Sequence, residues 1–154
     1  MSNQVSTNTN QTLHQQLNLQ VANWTVLYTK LHHFHWYVKG PQFFTLHEKF
    51  EELYNEAAGY VDEIAERLLA IGGEPVSTLR DALALTTISE AAGKQSAEQM
   101  VAAVVVDFDS ISQELKQGME AAEQAEDEAT GDLFLGMLSS LEKHNWMLNA
   151  YLGK

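Results

Sequence analysis

Residues 45–71 read TLHEKFEELYNEAAGYVDEIAERLLAI, with apolar residues three or four positions apart. This period is typical of an amphipathic α-helix. Thr45 is a suitable N-cap, and the Gly-Gly-Glu-Pro sequence at residues 72–75 predicts the end of the helix. The apolar stripe that would face the core of a helical bundle consists of Leu46, Phe50, Leu53, Ala57, Val61, Ile64 and Leu68.

A second stripe lies about 130° around the same helix. It consists of His47, Glu51, Ala58, Asp62, Ala65, Glu66 and Leu69. No Lys or Arg occurs in this stripe, and its alanines would let another helix approach closely. The second stripe therefore predicts an interface that encloses carboxylates and an imidazole.

The polar members of this stripe form two pairs, His47 with Glu51 and Asp62 with Glu66, each four residues apart. This spacing places both members of a pair on one helical face, close enough to share a metal ion. The two pairs, however, lie about 22 Å apart along a helix, whereas a metal–ligand bond is about 2 Å long. Two copies of the helix packed antiparallel about a two-fold axis would bring unlike pairs together. The sequence therefore predicts two equivalent metal sites between two chains.

The other histidines are not equally good candidates for ligands of this site. His35 ends the first predicted helix beside the start of the second, so we expect it near His47. His32 and His33 are weaker candidates, and we expect His144, on an apolar stripe, to be a core or hydrogen-bonded histidine. A metal site inside one bundle would use Glu-x-x-His on two helices. The chain contains no such sequence, which disfavours that alternative.

The rest of the chain predicts three further long helices, over residues 12–38, 96–122 and 130–152. Residues 76–94 connect the second to the third, and the TLRDAL sequence within them predicts a short helix. Two helical hairpins joined by one long crossover form the ferritin-like variant of a four-helix bundle. We therefore expect an all-α domain over residues 12–154, preceded by a disordered or flexible polar tail over residues 1–11.

Composition limits the kinds of metal ligand, binding partner and cellular location that the chain can have. The 154 residues contain no cysteine, so nitrogen and oxygen atoms must hold any metal. The formal net charge of −12 repels nucleic acid and attracts cations. No apolar run approaches the roughly 20 residues that a membrane span requires, and the polar N-terminus lacks the features of a secretory signal. These observations predict a cytoplasmic location without membrane attachment.

Residues 30–73, KLHHFHWYVKGPQFFTLHEKFEELYNEAAGYVDEIAERLLAIGG, resemble the signature region of the Dps mini-ferritins, particularly their Bacillus- and Listeria-type members. The similarity extends to LTTI at residues 85–88 and to KHNWMLNAYLGK at the C-terminus. The resemblance implies a hollow dodecamer with a di-iron site at each two-fold interface. The implied ligands are His35, His47 and Glu51 of one chain with Asp62 and Glu66 of the partner subunit. Glu51 departs from the pattern, since many relatives carry Asp there.

The resemblance also implies an activity. The expected reaction is oxidation of Fe(II), preferably by hydrogen peroxide rather than dioxygen, with storage of ferric mineral and protection from oxidative damage. The acidic segment at residues 122–132 resembles the lining of the family's three-fold pores, with Glu123, Glu128 and Asp132 as candidates. A role for Trp36 and Trp146 as electron donors or radical traps is implied too, although packing is the simpler explanation.

Direct DNA binding is not expected at neutral pH. Residues 1–29 contain no Lys or Arg, and only Lys154 is basic after Lys143, whereas phosphate contacts require several cationic side chains. Two alternatives to a ferroxidase cage remain at this point. One is a DNA-condensing nucleoid protein whose bundle is a scaffold, and the other is a non-enzymatic metal-binding or adhesive bundle.

Overall fold

The computed structural model describes the backbone of residues 2–154 and the side chains of residues 8–154. The helices are α1 (Ser2–Tyr37), α2 (Phe43–Ala70), α3 (Leu79–Leu85), α4 (Ala97–Gln124) and α5 (Glu128–Tyr151). Four long helices with a short helix in the crossover confirm the predicted ferritin-like bundle. No helix among the described residues is both long enough and apolar enough to cross a membrane.

Two predicted helix starts were wrong. Helix α1 begins at Ser2 rather than near Thr12. No Pro or Gly before Gly40 interrupts this helix. The prediction began too late because residues 2–11 are nearly all polar and give no amphipathic signal. Helix α2 begins at Phe43, and its N-cap is Gln42 rather than Thr45, without a side-chain capping bond. The flexibility expected for residues 1–11 stays a prediction, and Met1 and the side chains of residues 2–7 lie outside the described part.

Local chemistry explains the other helix boundaries. Gly40, with a φ of +112°, turns the chain between α1 and α2, a conformation that glycine adopts readily. Ser96 and Gln99 form a capping box at the start of α4. The Asp127 side chain accepts a hydrogen bond from the Thr130 amide and caps α5. Side chains therefore cap the starts of α4 and α5, whereas a glycine turn separates α1 from α2.

Helix α1 packs along α2 and α4, α4 packs along α5, and α3 lies against α1. The largest fully buried side chains in the shared core are Trp24, Phe34, Phe50, Phe108 and Phe134. Packing is tight at Gly118, where an added Cβ would lie 2.6 Å from Cε2 of Phe134. The core therefore fixes α2, which carries most of the predicted metal ligands, against α1.

Buried polar groups attach the crossover to the bundle. The Oδ1 of buried Asn23 accepts hydrogen bonds from the Thr86 hydroxyl at 2.7 Å and the Thr87 amide at 2.9 Å. Lys30 donates to the carbonyl oxygen of Ser89 at 2.8 Å and pairs with Asp107 at 2.7 Å. Since burying an unpaired charge is costly, these partners hold the crossover at a fixed place on α1.

Candidate metal centre

His35 and His47 meet where α1 ends and α2 begins. Their rings are stacked, with centroids 3.6 Å apart and planes inclined by 16°. The Nδ1 of His35 lies 2.7 Å from the carbonyl oxygen of His47, and the Nδ1 of His47 lies 2.8 Å from the carbonyl oxygen of His35. The two residues therefore fix each other through a reciprocal pair of hydrogen bonds.

These hydrogen bonds determine the tautomer of both rings. A carbonyl oxygen can only accept, so each Nδ1 must carry the proton and donate. In the neutral imidazole the Nε2 lone pair is then left to bind a metal, and no hydrogen bond to either Nε2 occurs among the described side chains. Metal-binding histidines commonly donate their second nitrogen in this way. The pair is thus suited to a divalent metal ion before any metal arrives.

The carboxylates are placed differently. Glu51 follows His47 by one helical turn and is exposed. Asp62 and Glu66 are exposed further along α2. Within one chain, no group of three or more His, Asp or Glu side chains among the described residues is arranged to hold a metal ion. One chain therefore presents the histidine pair and the Asp62–Glu66 pair separately, and the full ligand set stays a prediction.

The second stripe of α2 remains uncovered in the single chain. Ala58, Asp62 and Glu66 are exposed, and Leu69 is 59% exposed although it is a large apolar residue. The first stripe is mostly buried in the core. Two faces with such different surroundings on one helix agree with the pattern read from the sequence.

Comparison with known proteins identifies the family of the chain. Residues 14–154 match the Ferritin family, described as a ferritin-like domain. DNA protection during starvation protein 2 of Bacillus anthracis is 60% identical over 138 residues, which cover 90% of this chain and 94% of that protein. The crystal structure of Dps from Staphylococcus aureus has a TM-score of 0.91 at 58% identity, covering 92% of this chain and 95% of that chain. The chain belongs to the Dps family of ferritin-like proteins.

One further relative has a structure determined after soaking with a metal. Dps from Listeria innocua, in a structure soaked with cobalt, is 42% identical with a TM-score of 0.90 and covers 92% of each chain. The family match and the similarity to these relatives confirm the family and the fold that the sequence predicted.

Tyr54 and His32 also lie beside the histidine pair. Tyr54 was not predicted from the sequence. The ring of Tyr54 lies perpendicular to that of His35, with centroids 5.3 Å apart. His32 stacks on Tyr54 at 3.7 Å. The spacing of Tyr54, three residues after Glu51 and seven after His47, places all three on one helical face and could have indicated it.

His144 of this Dps chain lies in a separate polar cluster between α2 and α5. Its Nε2 donates to Glu56 at 2.5 Å, and Ser140 and Tyr60 donate to the same carboxylate. Burial opposes the charge of Glu56, but these hydrogen bonds outweigh it and lower the pKa of Glu56 to about 2. The prediction of a hydrogen-bonded His144 is confirmed.

The candidate pore acids Glu123, Glu128 and Asp132 surround the corner between α4 and α5, and all three are exposed. Their neighbour Asp127 is engaged within the chain. It pairs with Arg67 at 2.8 Å, and although burial opposes its charge, hydrogen bonds from Thr130 and the nearby Arg67 lower its pKa. Asp127 therefore secures the corner, while a pore lined by the other three stays a prediction.

The packing explanation for the two tryptophans was wrong for the single chain. Trp36 is 67% exposed and Trp146 is 69% exposed. The ring of Trp36 lies 5.2 Å from that of His32. Neither indole contributes to the core of one Dps subunit.

Proposed function

We propose that this protein is a ferroxidase and iron-storage protein that oxidises Fe(II), preferably with hydrogen peroxide, and deposits ferric mineral inside a dodecameric cage. The observation that carries the proposal is the reciprocal bonding of His35 and His47, which leaves two Nε2 lone pairs for a metal. The carboxylates of Asp62 and Glu66 lie too far along the same helix to join them, so a second chain is needed.

Each site would take His35, His47 and Glu51 from one chain, together with Asp62 and Glu66 of the partner subunit. Mixed nitrogen and oxygen ligands suit Fe(II). Few protein ligands per iron leave coordination positions open for the oxidant. The structure of Dps from Listeria innocua soaked with cobalt suggests Co(II) as a probe for this site.

The proposed reaction balances with two irons per peroxide. Each Fe(II) gives one electron to hydrogen peroxide, the O–O bond breaks, and both oxygens reach the oxidation level of water. Hydrolysis of the two Fe(III) ions gives ferric oxyhydroxide and releases protons. Because both electrons come from the same site, no hydroxyl radical is released, and the cell is protected from oxidative damage.

Charge supports delivery of the substrate. Each chain carries a net charge of −12, so the assembled particle attracts Fe(II). Glu123, Glu128 and Asp132 would line pores in the cage, where rings of carboxylates concentrate divalent cations. The anionic surface also disfavours direct DNA binding, and we propose that the particle acts in the cytoplasm without contacting DNA.

Stopped-flow measurement of Fe(II) oxidation, with hydrogen peroxide and with dioxygen in separate runs, tests this function. His47→Ala and Asp62→Ala should each lower the peroxide rate by more than about 100-fold, beyond the effect typical of an outer-shell partner. The controls are His33→Ala, which removes a histidine two residues before His35, and Glu63→Ala, which removes a carboxylate next to Asp62; both should keep the wild-type rate. A peroxide-driven rate of Fe(II) oxidation that equals the wild-type rate in all four variants would refute the proposed function.

A further inference from the structure

Tyr54 lies against the predicted ligands without belonging to them. It follows Glu51 by one turn of α2 and His47 by two. Its ring stands perpendicular to the His35 ring, at an angle of 90° with centroids 5.3 Å apart. Since His35 is also stacked on His47, the His35 imidazole has an aromatic neighbour on two sides. These contacts limit rotation of a ring that a single hydrogen bond would leave free to tilt.

Tyr54 is itself held in place by His32. The two rings are nearly parallel, with centroids 3.7 Å apart and planes inclined by 17°. The Nδ1 of His32 lies 3.0 Å from the carbonyl oxygen of Tyr28, one turn earlier in α1, and donates to it. His32 is therefore anchored to its own helix and presents a fixed face to Tyr54.

We propose that Tyr54 is a positioning residue for the iron site: its ring orients His35, and His32 fixes Tyr54. The inference rests on the proposed function, because His35 needs orienting for iron only if it is a ligand. Partners that orient a metal ligand typically change metal affinity by about 10- to 100-fold. The Tyr54 ring contacts one predicted ligand, so its removal should have an effect at the lower end of that range.

The test uses Co(II) as the probe on the assembled protein, with calorimetric titration and the visible absorption of the bound cobalt. Tyr54→Leu removes the ring and should lower Co(II) affinity by about tenfold and shift the cobalt spectrum. His32→Leu removes the ring stacked on Tyr54 and should lower the affinity in the same direction. Tyr54→Phe keeps the ring and is the matched control, which should bind Co(II) as the wild type does.

Wild-type affinity and spectrum in both Tyr54→Leu and His32→Leu would overturn the inference, even if their melting temperatures fall. Should Tyr54→Leu fail to assemble, His32→Leu decides the question. Failure of the proposed function gives a different result, because His47→Ala would then bind Co(II) as tightly as the wild type. The two outcomes are therefore distinguishable in one series of titrations.

Discussion

Replacing Glu56 by Gln should weaken the attachment of α2 to α5 in a pH-dependent way. Glu56 accepts hydrogen bonds from His144, Ser140 and Tyr60, and its pKa is lowered from 4.5 to about 2. At about 1.4 kcal/mol per pKa unit this shift corresponds to about 3 kcal/mol of stability at neutral pH. The side chain is 25% exposed, and solvent screening reduces the expected effect to about 2 kcal/mol.

The direction with pH follows from the lowered pKa. The folded protein binds the Glu56 proton less tightly than the unfolded chain, so the contribution is complete above pH 4.5 and disappears as the pH falls from 4.5 towards 2. Glu56→Gln should therefore melt about 4–8 °C below the wild type at pH 7. At pH 3 the difference should be clearly smaller.

Differential scanning calorimetry of the iron-free protein, at one protein concentration and with particle size checked, measures this difference. Glu52→Gln is the control, because the exposed Glu52 pairs with Lys49, and pairs of an exposed carboxylate contribute little. Equal melting temperatures for Glu56→Gln and Glu52→Gln at pH 7 would refute the reasoning. A difference that is as large at pH 3 as at pH 7 would refute the electrostatic origin.

Two further predictions concern packing and charge. Gly118→Ala should destabilise the protein by about 1–3 kcal/mol through overpacking, because the new Cβ would lie 2.6 Å from Phe134; Gly136→Ala, where a Cβ meets nothing within 4 Å, is the control in chemical denaturation. Iron-free protein should not retain duplex DNA in a gel-shift assay at physiological salt, since the chain carries a net charge of −12. Saturable retention would contradict this second prediction.

Periodicity predicted the long helices because each buries an apolar stripe. It failed at the start of α1, where Val5 is the only apolar residue of positions 2–11 and gives no period. It also failed at Thr45, because the turn of Gly40 and Pro41 allows α2 to begin at Phe43 without a side-chain cap. Helix existence was therefore more predictable than helix ends, as expected when local capping competes with the turn before it.

The candidate site was also predictable only in part. The spacing of His47, Glu51, Asp62 and Glu66 follows from sequence and helix geometry alone. The bonds between His35 and His47 do not, because each uses a backbone carbonyl whose position depends on the turn between α1 and α2. Tyr54 was missed for a related reason, since its contacts with α1 depend on how the two helices pack.

Subunit mixing tests the shared site most directly. His47→Ala chains and Asp62→Ala chains would be purified separately, then co-assembled at equal amounts, and Fe(II) oxidation by peroxide measured. Random pairing gives mixed two-fold dimers in about half of the cases, each with one intact and one doubly altered site, so about a quarter of all sites should recover. We expect each variant alone to be inactive and the mixture to regain about a quarter of the wild-type rate. A mixture that stays as inactive as its components, with mixed particles verified by mass spectrometry, would contradict a site built from two chains.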